Sequence, residues 1–242
     1  MKKFLLVSML ILSFVCESEA GGEQADCKMA ENRLGQPDNK LSFRTKTVYS
    51  SSHGKKEKSR MKNKIFVVLA DGFEEIEFAT PVDIWRRLQM EVVTAGLNSK
   101  KVTGSHGIIV EADSLLKDID LSQVKLIFLP GGMPGSKNLR DSDLLMDVLN
   151  KTYADGGMTA AICAAPIALG RAGLLKGKKA TCYPGFEDML EGAEYTGSRI
   201  QIDGRVITGK GPGVSFEFAA AVASALGKEE ALKKTFESMF VK

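Results

Sequence analysis

A single cysteine stands where a short apolar strand gives way to a helix, and its neighbours are small. The stretch GMTAAICAAPIALGRAG (157–173) predicts a strand over 158–162 and a helix over 164–172, with Cys163 at the turn. A strand-to-helix elbow that carries a nucleophile needs small neighbours, because its turn is tight. Free N–H groups at the start of a helix also favour a thiolate. The pattern predicts a nucleophilic thiol, and inert packing is the alternative.

A glycine pair and a run of acids are the groups that could serve this thiol. VKLIFLPGG (124–132) ends a buried strand in two glycines, which either form a simple turn or donate N–H groups to an oxyanion. Three glutamates in EEIE (74–77) open the first predicted helix. Acids are also common there for a structural reason, because they interact favourably with the positive end of the helix dipole. Apolar residues around them indicate a helix buried on several sides, so we expect one glutamate, which periodicity does not identify, to face inward. A carboxyl kept from water protonates more easily and can donate a hydrogen bond to a thiolate.

Apolar runs alternate with amphipathic segments along the rest of the chain. KIFVVLA (64–70) is typical of a strand buried on both faces, and TGSHGIIVEAD (103–113) predicts a hairpin. The first helix is expected over 74–88 but interrupted at Pro81, with Thr80 capping a second segment. Further strands are predicted at 91–97, 124–130, 178–185, 199–204 and 205–213, and further helices at 141–156, 215–227 and 228–240.

This alternation implies a mostly parallel sheet that is covered by helices on both faces. Functional sites in such sheets lie at the carboxyl ends of the strands. The ends of the strands at 64–70 and 124–130 and the turn at Cys163 all lie at that edge, so we expect them to converge.

Charge and cysteine usage exclude several classes of protein. Residues 1–60 hold 11 of the 33 Lys/Arg and 7 of the 30 Asp/Glu, which leaves 22 basic and 23 acidic residues for the remainder. A nucleic-acid binder carries its basic patch on the folded domain, so no nucleic-acid partner is expected. Two histidines and irregularly spaced cysteines give neither a zinc site nor a disulfide framework. GKGPGVS (209–215) lacks dinucleotide-loop spacing and predicts a turn into a helix.

The first 60 residues are expected to lie outside the folded domain, which is assigned to 61–242. Residues 1–20 match a secretory signal peptide whose apolar run is too short for a membrane span, and residues 21–60 match a disordered polar linker. Alternatively, Met61 is the true start and the leader is read from upstream sequence. We expect a cytoplasmic protein if translation starts at Met61, and an exported one if the leader is real.

Five motifs fall in the order seen in the ThiJ/PfpI superfamily. They are LADGFEEIEFATPVDIWRR, LPGGMPGSKNL, AAICAAP, TCYPG and GKGPGVSFEFA, and the resemblance covers nearly all of 62–242. The sequence most resembles the branch of the parkinsonism-associated protein deglycase and its bacterial relatives. The resemblance implies a flavodoxin-like α/β fold, a three-layer sandwich around a mostly parallel sheet, and a homodimer.

The resemblance also implies roles for individual residues. Cys163 matches the family's nucleophile and Glu77 its acidic partner. The backbone amides of Gly132 and Ala164 match its oxyanion donors, and Arg87 matches a basic residue of an anion site on the dimer side.

Three positions depart from related sequences. Ala164 follows the cysteine where a protease-like branch has His, which argues against a peptidase. Tyr183 stands where the deglycase branch often has His, and His106 stands where relatives may carry Arg. His106 either supplies the missing base or is simply a loop residue, and Tyr183 is the other residue that could assist proton transfer.

The expected function is a cysteine-dependent reaction on small carbonyl compounds, without cofactor or metal. Cys163 adds to the aldehyde of methylglyoxal or to a glycated protein amine, Glu77 moves protons, and hydrolysis releases lactate or glycolate. The competing hypothesis is a non-enzymatic redox sensor or chaperone that uses the same cysteine under stress. A role in thiazole biosynthesis finds no support, since the chain has neither a phosphate loop nor a cofactor motif.

Overall fold

The computed structural model describes residues 62–241, so the expectations for the leader, the linker and Met61 lie outside the described residues. The strands are β1 (Lys64–Leu69), β2 (Glu91–Gly96), β3 (Lys101–Thr103), β4 (Ile109–Glu111), β5 (Ser114–Leu115), β6 (Val124–Leu129), β7 (Met158–Ile162), β8 (Lys179–Ala180), β9 (Glu194–Tyr195), β10 (Ile200–Asp203) and β11 (Val206–Gly209). The helices are α1 (Glu75–Arg87), α2 (Gly135–Arg140), α3 (Asp143–Ala154), α4 (Pro166–Arg171), α5 (Ser215–Ala225) and α6 (Glu229–Ser238).

Seven strands form the central sheet, in the order β10-β11-β7-β6-β1-β2-β5. Every neighbouring pair is parallel except β10 and β11. The predicted hairpin is also present, because β3 and β4 pair antiparallel. The middle strands β1, β6 and β7 are the ones whose carboxyl ends carry the candidate site, and their nearly continuous burial fits their apolar sequences.

Helices cover both faces of this sheet and make a three-layer sandwich, which confirms the expected fold class. On one face, Trp85 of α1 donates its indole N–H to the carbonyl of Ala219 in α5 at 3.0 Å. Phe128 of β6 packs between the rings of Trp85 and Phe218, with centroids 5.3 and 5.1 Å away. On the other face, Leu139, Leu149 and Leu169 from α2, α3 and α4 are fully buried in a second core.

Helix α1 runs without a break through Pro81, so the expected interruption with Thr80 as a cap is wrong. A proline in a helix interior removes one backbone hydrogen bond and costs about 3 kcal/mol. Here Pro81, Val82, Ile84 and Trp85 are all buried, and their packing against the sheet outweighs that cost. The residues of α1 therefore keep one helical periodicity from the N-terminal acids to the end of the helix.

Several boundaries also differ from the sequence expectations. Strand β8 covers two residues of the predicted 178–185, because the chain then turns and the N–H of Tyr183 donates to Cys163 at 2.8 Å. Helix α4 begins at Pro166 and not at residue 164, and α2, β5 and β9 are additional elements. No helix within residues 62–241 combines the length and apolar character that a bilayer span requires.

Candidate active site

The elbow at Cys163 is a strained turn between β7 and α4. The residue has φ +64°, a left-handed conformation that side chains other than glycine rarely adopt. Its N–H donates to the carbonyl of Gly209 and its carbonyl accepts from Tyr183, both at 2.8 Å. These two bonds hold the turn from both sides, and the half-buried thiol stands at the carboxyl edge of the sheet. A nucleophile elbow is built in the same way.

Two backbone amides face the sulfur of Cys163. The N–H groups of Ala164 and Gly132 both form hydrogen bonds that lower the pKa of this thiol. Gly132 has φ +91°, and the N–H of Glu74 lies where a side chain on Gly132 would project. Glycine is therefore required for this amide to face the site.

Glu77 lies beside the thiol and is completely buried. Its Oε2 accepts the N–H of Gly131 at 2.8 Å, while Oε1 has no bond within the usual distance and angle limits. Burial raises the pKa of Glu77 to about 7, although interactions with Cys163 and Gly131 lower it in part. Glu74 adds a smaller upward contribution through its negative charge. Glu77 can therefore hold or release a proton near neutral pH.

Gly131 leaves the room in which Glu77 and Cys163 meet. A Cβ at this position would lie 2.5 Å from Oε2 of Glu77 and 2.6 Å from Cβ of Cys163. Both distances are shorter than real contacts allow. The first glycine of the pair brings the carboxyl and the thiol together, and the second presents its amide.

The thiol is harder to ionise than the sequence indicated. Burial first, and then the charge and hydrogen bond of Glu77, raise the pKa of Cys163 to about 12. The amides of Ala164 and Gly132 lower the pKa of the thiol, in the direction that the sequence predicts for free N–H groups at this turn, whereas burial and Glu77 raise it. Burial disfavours the charged form of both groups and the negative charge of Glu77 opposes ionisation of the thiol, so the two groups titrate as a coupled pair.

A second polar group lies at the start of α1 and includes another buried acid. Glu77 is the inward-facing acid that the sequence predicts, and Glu75 is buried as well. Glu75 Oε1 accepts the N–H groups of His106 and Ile108 at 2.7 and 3.3 Å, and its Oε2 lies 2.8 Å from Nδ1 of His106. Burial alone would raise the pKa of Glu75, but these hydrogen bonds outweigh it and lower the pKa to about 2.

The ring of His106 is tied to this acidic group. Hydrogen bonding to Glu75, followed by the charges of Glu74 and Glu75, raises the pKa of His106. The protonated ring is therefore favoured, which suits an ion-pair partner better than a free base. Among residues 62–241, Glu74, Glu75 and His106 are the group whose metal-ligand atoms come within 4.8 Å of one another. His106 joins the three residues, with Nδ1 2.8 Å from Oε2 of Glu75 and 3.6 Å from Oε2 of Glu74.

The two remaining candidates, Tyr183 and Arg87, differ in whether they are joined to the elbow. Tyr183 is joined to Cys163 through its backbone N–H, and its half-exposed ring lies over Gly211. Arg87 is exposed on the last turn of α1, where Nε contacts Oδ2 of Asp83 at 2.7 Å. The structure thus gathers Cys163, Glu77, Gly132 and Ala164, and leaves Arg87 engaged elsewhere. The sequence did not reveal the separate roles of Gly131 and Glu75. The only signals were that Gly131 is one of two adjacent glycines and that Glu75 is one of several acids at the start of α1.

The known proteins that resemble this chain belong to one family. A family model described as DJ-1/PfpI matches residues 63–225. The chain belongs to the DJ-1/PfpI family. Protein DJ-1 homolog B of Arabidopsis thaliana is 40% identical over 199 residues, which are 81% of this chain and 43% of that protein. The chain likewise spans 44% of Protein DJ-1 homolog A of the same plant. It therefore covers less than half the length of these two relatives.

Shorter relatives match over most of their own length. A glutathione-independent glyoxalase of Caenorhabditis elegans is 32% identical over 167 residues, which are 68% of this chain and 89% of that protein. A deglycase of Thermococcus kodakarensis is 31% identical over 152 residues, 62% of this chain and 91% of that protein. The crystal structure of a DJ-1 superfamily protein of Salmonella typhimurium has a TM-score of 0.71 and 32% identity, and the match covers 74% of this chain and 99% of that one.

Proposed function

We propose that this chain is a cofactor-independent enzyme that uses Cys163 to convert small reactive carbonyl compounds, methylglyoxal among them, and early glycated adducts of amines. The observation that carries the proposal is the convergence on one sulfur of two backbone amides and a buried carboxyl that titrates near neutral pH. The names of the glyoxalase and deglycase relatives support the same reaction class. Glyoxalase and deglycase chemistry both begin with an attack on a carbonyl carbon.

The addition step uses the proton that Cys163 and Glu77 share. The sulfur forms a bond to the aldehyde carbon, and the carbonyl electron pair moves to oxygen. The amides of Gly132 and Ala164 stabilise the negative oxygen as it forms. Glu77 takes the thiol proton and delivers it to that oxygen, which leaves a neutral hemithioacetal. A thiol of high pKa can react in this way because the base removes its proton as the bond forms.

The oxidation and reduction that follow take place within the substrate. Glu77 removes a proton from the former aldehyde carbon, and the neighbouring ketone carbon receives a proton, while the hydroxyl proton of the hemithioacetal moves to the ketone oxygen. The first carbon becomes a thioester and the second an alcohol, so no external oxidant or reductant takes part. Water then cleaves the C–S bond and releases lactate and the free thiol. On an early glycated amine, in which the former aldehyde carbon carries a hydroxyl group and the amine nitrogen, sulfur displaces the amine: the C–S bond forms, the C–N bond breaks, the thiol proton leaves with the amine, and the same hemithioacetal results.

Lactate formation by the full chain tests the proposal. We expect methylglyoxal to be converted to lactate at a rate proportional to protein concentration, and we expect Cys163→Ser to abolish that conversion. Cys182→Ser is the matched control, because Cys182 is the other cysteine among the described residues and is fully buried. It should retain activity.

The competing function is a redox sensor, and the same preparation distinguishes it. Absence of lactate from the unmodified chain, together with rapid peroxide oxidation of Cys163 detected by mass spectrometry, would reject the enzyme and favour the sensor. Loss of lactate formation in Cys182→Ser but not in Cys163→Ser would reject the assignment of the nucleophile.

A further inference from the structure

The loop between β1 and α1 (residues 70–74) lies against the backbone that presents the amide of Gly132. The N–H of Glu74 donates to the carbonyl of Gly131 at 2.8 Å. A Cβ on Gly132 would lie 2.5 Å from the carbonyl oxygen of Gly72, so the two backbones touch with no side chain between them. Because contacts this close leave no free space, a shift of the loop must also shift the amide of Gly132.

Asp71 ties this loop to the hairpin formed by β3 and β4. Its Oδ1 accepts the N–H of Thr103 at 2.8 Å, and the N–H of Gly72 donates to the carbonyl of Thr103 at the same distance. The N–H of Ser105 donates to the carbonyl of Phe73, also at 2.8 Å. Of these three bonds, the one that Asp71 accepts is made by a side chain, so a substitution can remove it and leave the backbone bonds unaltered.

The other side of the loop is tied to α2. The Nδ2 of Asn138 donates to the carbonyl of Asp71 at 3.2 Å, and the N–H of Gly135 donates to the carbonyl of Gly72 at 3.3 Å. Asp71 therefore contacts the hairpin through its side chain and α2 through its backbone. The residue that follows it, Gly72, is the one that packs against Gly132.

These contacts form a short path from an exposed carboxylate to the thiol. Asp71 holds the loop, the loop packs against Gly132, and the N–H of Gly132 forms a hydrogen bond with the sulfur of Cys163. Two steps of contact thus connect Asp71 with the group that receives the substrate.

We propose that Asp71 is a positioning residue of the candidate site, whose carboxylate keeps the Gly132 amide directed at the oxygen that forms on the substrate. The inference rests on the proposed function, in which Gly132 stabilises this oxygen. Fixed donors stabilise a developing charge well because they do not have to reorient during the reaction. Asp71 acts through the loop and not on the substrate, so we expect its loss to lower kcat and to leave KM nearly unchanged.

The first test measures turnover of methylglyoxal by the full chain, normalised to the folded fraction. Asp71→Ala should lower kcat about tenfold, which is less than the roughly 10²–10³-fold loss expected when a whole oxyanion donor is removed. Asp71→Asn should restore kcat, because its side-chain oxygen can still accept the N–H of Thr103. Equal losses in the two variants would overturn the proposal, since the hydrogen bond would then not be the cause.

Asp203→Ala is the matched control. Oδ2 of Asp203 accepts the N–H of Lys179 at 2.9 Å, so this variant removes an aspartate-to-backbone bond of the same kind. Asp203 ends β10, which runs antiparallel to β11, and it therefore lies at the opposite edge of the sheet from Cys163. Asp203→Ala should keep its kcat even where its Tm falls. An equal loss of kcat in Asp203→Ala and Asp71→Ala would indicate a general structural effect and would overturn the proposal.

The second test requires no turnover, because it follows alkylation of Cys163 by iodoacetamide with peptide mass spectrometry. The Gly132 amide lowers the pKa of this thiol, so its displacement in Asp71→Ala should move the pH profile of alkylation to higher pH. Loss of a negative charge alone would favour the thiolate and move the profile to lower pH, so the direction distinguishes the two causes. Neither Asp71→Asn nor Asp203→Ala should move the profile to higher pH.

The two tests together separate failure of the inference from failure of the proposed function. If the unmodified chain forms no lactate, the proposed function fails, and the alkylation profile still decides whether Asp71 positions the amide. If lactate forms normally while Asp71→Ala changes neither kcat nor the profile, only the inference fails.

Discussion

Glu75 and Glu77 lie two residues apart in the same helix, and both are buried, yet their acidities move in opposite directions. The pKa of Glu75 falls to about 2, whereas that of Glu77 rises to about 7. Burial raises both. Glu75 receives the ring of His106 and several backbone N–H groups, while Glu77 receives one N–H and a thiol. Glu77 lies deeper and has fewer donors, so its pKa rises, whereas the donors around Glu75 outweigh its burial and lower its pKa.

The two regions around these acids accordingly have different chemistry. At Glu75, an exposed hairpin tip brings the ring of His106, whose pKa is raised by this contact, to a buried carboxylate, and the contact ties β3 and β4 to α1. At Glu77, the elbow brings a neutral thiol to a carboxyl that titrates near neutral pH. The first region fixes the hairpin to α1, and the second contains a carboxyl that can gain or lose a proton near neutral pH.

The largest expected effect is on turnover. Glu77→Gln should lower kcat for methylglyoxal by about 10²–10⁴-fold, because the amide cannot carry the proton. Glu75→Gln should retain most of the turnover per folded molecule, since Glu75 faces the hairpin. Steady-state lactate formation, normalised to the folded fraction by circular dichroism, compares the two. Equal losses in both variants would remove the functional distinction between the two acids.

The next effect is steric and concerns Gly131. Gly131→Ala should separate Glu77 from Cys163, lower turnover at least tenfold and cost about 1–3 kcal/mol of unfolding free energy, as overpacking typically does. Gly107→Ala is a control in open space, although φ +87° there adds backbone strain without touching the site. Urea unfolding and lactate formation measure both quantities. Full activity in Gly131→Ala would contradict the proposed contact.

A third effect concerns the acidity of the thiol. Because the charge and hydrogen bond of Glu77 help to raise the pKa of Cys163, Glu77→Gln should shift its pH profile of iodoacetamide alkylation to lower pH. The variant would then ionise its thiol more readily and still turn over more slowly. A shift to higher pH would mean that Glu77 stabilises the thiolate and does not oppose its formation.

The smallest effects are on stability, and the two acids should again differ in sign. The pKa of Glu77 is raised in the folded state, so its contribution to stability is complete below about pH 4.5 and is lost as pH rises through about 7. The pKa of Glu75 is lowered, so its contribution is present above about pH 4.5 and is lost as pH falls toward 2.

Thermal unfolding measures these contributions. Relative to the unmodified chain, Glu77→Gln should raise Tm more at pH 8 than at pH 5. Glu75→Gln should lower Tm at pH 7 and should have a smaller effect near pH 2. Parallel pH profiles for the two variants would show that burial alone governs both acids.

The fold was predictable because its signals are local. Buried runs such as KIFVVLA and the position of Cys163 between strand and helix depend on composition and spacing alone, and the structure confirms both elements. The continuous helix through Pro81 was not predictable, because its packing against the sheet is a tertiary effect. The predicted strand at 178–185 was too long for a similar reason. The chain turns after β8, and the N–H of Tyr183 donates to the carbonyl of Cys163.

That Cys163, Glu77, Gly132 and Ala164 lie together was predictable from the sequence and the resemblance, but their electrostatics were not. The resemblance to a known family assigned Glu77, while periodicity left three glutamates open. The opposite acidities of Glu75 and Glu77 depend on donors from the hairpin tip and from Gly131, which are distant in sequence.

The central claim is that Cys163 and Glu77 act one after the other on the same carbonyl carbon. Mass spectrometry of the acid-quenched reaction with methylglyoxal tests it most directly, on the unmodified chain and on Glu77→Gln. We expect a covalent adduct on Cys163 that accumulates in Glu77→Gln and passes rapidly to lactate in the unmodified chain. Lactate formation at the normal rate by Glu77→Gln, or turnover without any adduct on Cys163, would contradict this claim.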